Sequence, residues 1–197
     1  MDVTLLGLGP SRNECSFSTE ELWGTVDCLN QDDLRDKQFT KVFAFDGISL
    51  CVNDHAPRKN EILSSAIDKA HAMNIPLVST KDYGTERYPI IEIGRKFKTS
   101  YFMPTISYMI AYALYLGYNR IYIYGIDQGP QWWYQLGKPH ITFWLGYAIA
   151  LGVEVYLGRG SMQWAYYPGL DGLPIAWLKE EYEKLYVDLF DTVVIEK

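Results

Sequence analysis

Cysteine, histidine and net positive charge are all scarce in this chain. Its three cysteines, Cys15, Cys28 and Cys51, form neither a CxxC pair nor any other metal-ligand spacing, so neither a disulfide framework nor a thiolate metal centre organises the fold, and a reducing intracellular setting is expected. Lys and Arg number 18 against 24 Asp and Glu, for a net charge of −6 and a pI near 5.1. That balance argues against extensive binding to duplex nucleic acid, which needs clustered cations; a local basic patch stays open at Arg95-Lys96-Phe97-Lys98. No basic stretch followed by a small-residue cleavage site opens the sequence, so no signal peptide is expected and a cytoplasmic location is. The apolar run over residues 101 to 117 is barely long enough to span a bilayer, is rich in Tyr and contains Pro104. It reads as a buried helix, with no membrane span.

What the chain does have is apolar and aromatic residues in quantity: 48% hydrophobic content, 16 Tyr and 6 Trp in 197 residues. This suits one domain over residues 1–197, with aromatic surfaces able to stack on rings or, by default, buried. One stretch organises the rest. From Thr99 to Asp127 a long apolar helix (Thr105 to Leu116), a Gly117 cap and a strand (Ile121 to Tyr124) follow one another, closing at Gly125-Ile126-Asp127.

Further strand-then-turn units surround it. Val3 to Leu8 runs into Gly7-Leu8-Gly9-Pro10-Ser11, where glycines let backbone approach an anion and Ser11 adds a hydroxyl donor. Glu14 stands where a third glycine would complete GxGxxG, so a plain tight turn explains the motif equally well. Ser18-Thr19-Glu20-Glu21 reads as a short capped helix, Trp23 to Asn30 as a strand ending in Asn30, and Lys41 to Gly47 as a strand with Asp46 at its end. An amphipathic helix is expected over Arg58 to Met73, a strand over Ile75 to Ser79, and an irregular or edge segment over Tyr88 to Ile93. This alternation predicts a single Rossmann-like α/β domain: a doubly wound, mainly parallel sheet with helices on both faces and the first strand inside it. Ser11, Asn30, Asp46 and Asp127 would then share the C-terminal sheet edge, where ligands bind in such folds; each could instead merely cap a turn.

Gln128 to Pro139 has the length of a lid, and its Trp132, Trp133 and Tyr134 could stack on a sugar, pterin or base, or form an oligomer contact. His140 is expected to open a helix over Ile141 to Leu151, where the helix N-terminus would keep the imidazole neutral as a base must be; a structural histidine is the alternative. The sequence closes with an aromatic loop (Gly158 to Pro174), a helix (Ala176 to Phe190) and an edge strand (Val193 to Ile195).

The stretch TSYFMPTISYMIAYALYLGYNRIYIYGID resembles the "TSG…YM…A…LGY…IYL.GID" segment of the small bacterial sialyltransferases, and also the related 6-hydroxymethylpterin diphosphokinase-like family common in phage and archaeal genomes. The likeness recurs at Gly7 to Ser11, at Cys28-Leu29-Asn30-Gln31 and loosely around His140, over about half the chain in all. It implies a transferase for which Gly7, Gly9, Ser11 and Asn30 hold a nucleotide-sugar donor, Asp46 lines the same cleft, and Thr99 or Ser100 contacts the transferred sugar. His140 would take the acceptor's proton, with Asp127 as second candidate catalytic residue and no metal. Two departures stand out: Leu8 replaces the Asn between the glycines, and Leu29 is an extra residue before Asn30. The other family implies diphosphate transfer from ATP, with Mg²⁺ between Asp46 and Asp127, although no Walker lysine motif is present. A non-catalytic α/β binding protein is the third possibility.

Overall fold

Strand β1 (Asp2–Leu6) forms the centre of the fold because both of its faces are buried: Val3 and Leu5 point one way, Thr4 and Leu6 the other, and all four are almost fully excluded from water. A strand dry on both sides needs neighbours on both edges and helices on both faces. The computed structural model, which describes residues 1–47, 49–50, 58–127, 132–158 and 193–195, supplies them. From β1 the chain winds outward through β2 (Glu21–Thr25), β3 (Lys41–Phe43), a small antiparallel pair of β4 (Ser49–Leu50) and β5 (Arg58–Lys59), helix α1 (Glu61–Ala72), β6 (Leu77–Ser79) and β7 (Glu86–Arg87). It then crosses back over the sheet through α2 (Ile90–Phe97) and α3 (Thr105–Leu116) to β8 (Arg120–Tyr124) on the free side of β1, and continues through α4 (Trp132–Ala150) to β9 (Glu154–Leu157) and β10 (Val193–Ile195).

The strand order of the large sheet is β10-β9-β8-β1-β2-β3-β6-β7, and every described pairing in it is parallel. This is the expected doubly wound architecture. Alternate side chains feed two cores. Val3, Leu5, Trp23, Phe43, Ile121 and Ile123 pack beneath α2, α3 and α4, whereas Leu6, Leu22, Val42 and Leu77 meet Leu63, Ala66, Ile67 and Ala70 of α1 and the 3₁₀ turns Pro10–Glu14 and Val26–Asn30. Helix α3 spans the predicted residues and stops where Gly117 takes a left-handed φ of 85°, its N–H donating to the Ala113 carbonyl at 3.1 Å. With Ile106, Met109, Ile110 and Leu114 buried, each large side chain contributes about 1.5–3 kcal/mol of apolar burial. Among the described residues no helix is long and apolar enough to cross a membrane.

Four local expectations are corrected. Residues 18–21 do not form a helix: Thr19 Oγ1 bonds Thr4 Oγ1 at 2.7 Å and the Glu21 carbonyl at 2.9 Å, which draws the segment into β2. Strand β2 ends at Thr25, and Val26–Asn30 turn into a 3₁₀ helix. The segment after Tyr88 is helix α2, its face formed by Ile93 and Phe97, and Lys96 of the basic run donates to the Tyr115 carbonyl at 3.0 Å. Helix α4 begins at Trp132, so most of the expected lid is helical and His140 lies within the helix rather than at its start. Packing explains this: Gly137 sits against Pro104, with an added Cβ only 3.1 Å from its ring, and Trp144 Nε1 donates to the Tyr101 carbonyl at 2.9 Å. These contacts retain a helix from which Pro139 removes one hydrogen bond. The expected loop at 158–174 and helix at 176–190 lie outside the described residues beyond Gly158.

Candidate active site

Parallel pairing puts the C-terminal ends of the strands on one edge, and the register fixes which residues meet there. Leu6 of β1 is level with Gly24 of β2 and with Tyr124 of β8. Three residues further along the sequence come Gly9, Asp27 and Asp127: Asp127 lies against Gly9, and Asp27 is in the 3₁₀ turn that follows β2. Strand order also reverses here, since the chain leaves β1 toward the α1 face and β8 toward α4. Such a reversal opens a crevice, the usual ligand position in open α/β sheets.

The crevice floor is a latch between two crossing turns. Gly7 N–H donates to the Tyr124 carbonyl at 2.9 Å, Gly9 N–H to the Gly125 carbonyl at 2.7 Å, and Gly125 N–H to Ser11 Oγ at 2.8 Å. Ser11 N–H donates to Asp127 Oδ2 at 2.8 Å. Glycine is required by contact at Gly9, where a Cβ would lie 2.7 Å from Asp127 Cγ and 2.9 Å from the Gly125 carbonyl oxygen. Gly125 needs it twice over, with φ at 72° and a Cβ position 2.6 Å from the Gly7 carbonyl carbon. The N–H of Ser11, at the turn expected to hold a phosphate, is therefore spent on Asp127, which occupies the anion position, while the Ser11 hydroxyl oxygen accepts from Gly125 N–H. Arg12 is engaged too, with Nε on Asp33 Oδ2 at 3.0 Å and a second bond to the Leu8 carbonyl.

Two buried acceptors at this edge have no hydrogen-bond partner among the described residues: Oδ1 of Asp27 and Oδ1 of Asp127. Burial raises the Asp27 pKa and the negative charge of Asp46 raises it further. Asp46 follows β3 on the same edge, is exposed, and its carbonyl accepts from Tyr83 OH at 2.8 Å. Burial and then Asp46 also raise the Tyr108 hydroxyl. Asp46 and Asp127 follow β3 and β8, strands that β1 and β2 separate in the sheet. Among the described residues no three His, Cys, Asp or Glu side chains converge on a point.

Other expected site residues lie elsewhere. Asn30 is tied to α1, its Nδ2 donating to the Ile62 carbonyl at 3.0 Å while Oδ1 accepts from Ser65 Oγ at 3.4 Å. Thr99 and Ser100 run along the flank of α4, bracketed by the Tyr147 OH bond to the Phe97 carbonyl (3.5 Å) and the Trp144 bond to Tyr101. His140 is on that flank, its ring stacked on Tyr101 at 3.9 Å and its Nδ1 3.1 Å from the Leu136 carbonyl. A carbonyl only accepts, so in the neutral ring Nδ1 carries the proton and Nε2 keeps the lone pair. Trp132, Trp133 and Tyr134 open α4; their side chains are outside the described residues. A groove of about 570 Å³ beside Leu29, Arg35, Lys37 and Lys69 lies on the outer side of α1 and does not reach the strand edge.

Asp27 is the residue that sequence reasoning missed. Compared with protein-family models, with curated proteins and with solved structures, the chain matches none of them.

Proposed function

We propose that this protein is a nucleotide-dependent transferase of the glycosyltransferase kind, binding a nucleotide-sugar donor in the crevice between β1 and β8 and moving the sugar to a hydroxyl acceptor. One arrangement carries this reading: the strand order reverses between β1 and β8, and a carboxylate oxygen of Asp127 has no partner among the described residues at the turns that follow them. The acceptor oxygen bonds to the anomeric carbon as the bond from that carbon to the nucleotide oxygen breaks, and the acceptor's proton passes to a base. His140, on the flank of α4, is the proposed base, with Nε2 as the accepting atom, and Thr99 or Ser100 on the same flank would contact the transferred sugar. The alternative of diphosphate transfer through Mg²⁺ between Asp46 and Asp127 has less support, because β1 and β2 separate the strands that those acids follow.

A melting-temperature panel tests the reading. A nucleotide sugar at about a hundred times its Kd stabilises the folded state by ~2.7 kcal/mol, which for a chain of this size raises Tm by about 5–10 °C. Response to ATP with Mg²⁺ alone would favour diphosphate transfer, and no response to any nucleotide would leave a binding protein of another kind. Once turnover is detected, His140→Gln is expected to lower it by about two to four orders of magnitude with donor affinity unchanged.

A further inference from the structure

Charge is unevenly spread along this chain. Between Glu92 and Glu154 the sequence has one acid, Asp127, against five Lys and Arg, although the whole chain carries −6. Asp127 is held in the latch and Arg120 pairs with Asp2 at 3.0 Å, so the remaining charges of that stretch, Arg95, Lys96, Lys98 and Lys138, are all positive. The same stretch carries a patch of apolar side chains left open to water: Tyr101, Met103, Leu136 and Phe143 are 42%, 46%, 48% and 37% exposed. Leu136, His140 and Phe143 follow one another at single-turn spacing on α4, and Tyr101 stacks on His140 at 3.9 Å and meets Phe143 edge-on at 5.5 Å. Met103 adjoins them through Pro104, which Gly137 touches. We propose that this patch seats the protein on the surface of a bilayer containing anionic lipids, as a peripheral contact, whatever reaction the crevice serves.

Two observations favour lipid over a protein or nucleic-acid partner. Hydrocarbon offers no hydrogen bonds, and the polar groups of this surface already have theirs. The N–H groups of Tyr101, Phe102 and Met103 donate to Thr99 Oγ1 at 3.2 Å, the Ser100 carbonyl at 3.0 Å and Ser107 Oγ at 3.3 Å. The Tyr101 carbonyl accepts from Trp144 Nε1, the Leu136 carbonyl from His140 Nδ1 and the Lys138 carbonyl from Thr142 Oγ1. These groups can leave water without being orphaned. The second observation is the single sign of the charges beside the patch. Arg95 and Lys98 are exposed where the end of α2 leads into Tyr101, and their long stems let the cationic ends meet headgroup phosphates while apolar neighbours sink below. A nucleic-acid strand would instead need flat rings to stack on, and neither Met103 nor Leu136 has one. Helix α4 also begins with Trp132, Trp133 and Tyr134, residue types that favour the boundary between membrane and water.

The test floats the full chain with vesicles of phosphatidylcholine alone and of phosphatidylcholine with about a third phosphatidylglycerol. Binding is expected to be about 30-fold tighter on the anionic vesicles, a factor of roughly five for each of Arg95 and Lys98, and to weaken as salt is added. Arg95→Gln with Lys98→Gln should remove most of that preference. Met103→Glu with Leu136→Glu should cut binding to anionic vesicles by about tenfold or more, whereas Ile62→Glu, at an exposed position of α1, should leave it unchanged. Should the pair fail to fold, Met103→Glu alone, in the connection between α2 and α3, repeats the test. Equal binding to both vesicle types, no binding to either, or binding that survives Met103→Glu overturns the proposal. So does retention of a single-stranded oligonucleotide, or self-association, that the same substitutions abolish while vesicles stay unbound, since the patch would then serve that partner.

Discussion

Gly9→Ala adds one methyl group at the centre of the latch. Gly9 has φ −67° and ψ 163°, values alanine adopts freely, so backbone strain contributes nothing and the methyl's neighbours decide the outcome. Those neighbours are the Asp127 carboxylate, with Cγ 2.7 Å from the new carbon, and the Gly125 carbonyl oxygen at 2.9 Å. The carboxylate can swing aside, but only by giving up its bond to Ser11 N–H, a charged hydrogen bond worth about 1.5–3 kcal/mol. The Gly125 oxygen is backbone and must carry β8 with it, at an overpacking cost of about 1–3 kcal/mol. Alanine returns about 0.4–1 kcal/mol by restricting the unfolded chain, leaving a net loss of roughly 1.5–5.5 kcal/mol and a Tm lower by about 3–22 °C. Urea unfolding followed by circular dichroism measures it. Gly146→Ala is the control: nothing lies within 4 Å of its Cβ position in α4, and it should gain about 0.5–1 kcal/mol. In an Asp127→Ala background the Gly9→Ala loss should shrink by about 1–3 kcal/mol. An unchanged midpoint for Gly9→Ala, or a loss indifferent to Asp127, would refute the latch.

Asp27 gives the second prediction. Its folded pKa is raised, so the ionised form costs stability at neutral pH, and the cost is relieved as pH falls through that pKa. Asp27→Asn should therefore raise Tm at pH 7–8, with the gain fading on acidification; a lower Tm at pH 8 would contradict it. Cys28 gives the third: with its thiol pushed up to about 11 by burial above all, it should resist alkylation at pH 8 in the native chain and react once urea unfolds it, as peptide mass spectrometry would show. Ready native labelling of Cys28 would mean that the β2 edge is open.

Legibility in the sequence followed the range of the forces involved. Helix α3, the Gly117 cap, β8 and the glycine turn after β1 are built by local chemistry, and they lie where the residues predict. Asp27 was hidden because Val26 and Cys28 continue the every-second-residue apolar pattern of β2 into the 3₁₀ turn, so the strand seemed to run on to Asn30. The true end of the strand depends on Phe39, whose ring lies 2.6 Å from where a Gly24 Cβ would be; that contact is tertiary. Asn30 satisfies α1, and Pro139 lies inside α4, for reasons of the same kind: partners 32 residues away in one case, and Gly137 seated on Pro104 in the other. That Asp127 would hold Ser11 N–H could not be read from either turn alone.

The central place of β1 has a consequence for how the chain is made. One edge of β1 meets β2 within the first 25 residues, but the other waits for β8, and the Ser11 to Asp127 bond spans 116 residues. Until β8 emerges from the ribosome, β1 presents an open apolar edge, the kind of surface that recruits other nascent chains. Pairing at so large a sequence separation is slow, and the latch can close only after it. A chain stalled before Arg120 would thus have the glycine turn but no latch, so the bond from Ser11 to Asp127 reports that the last central strand has docked.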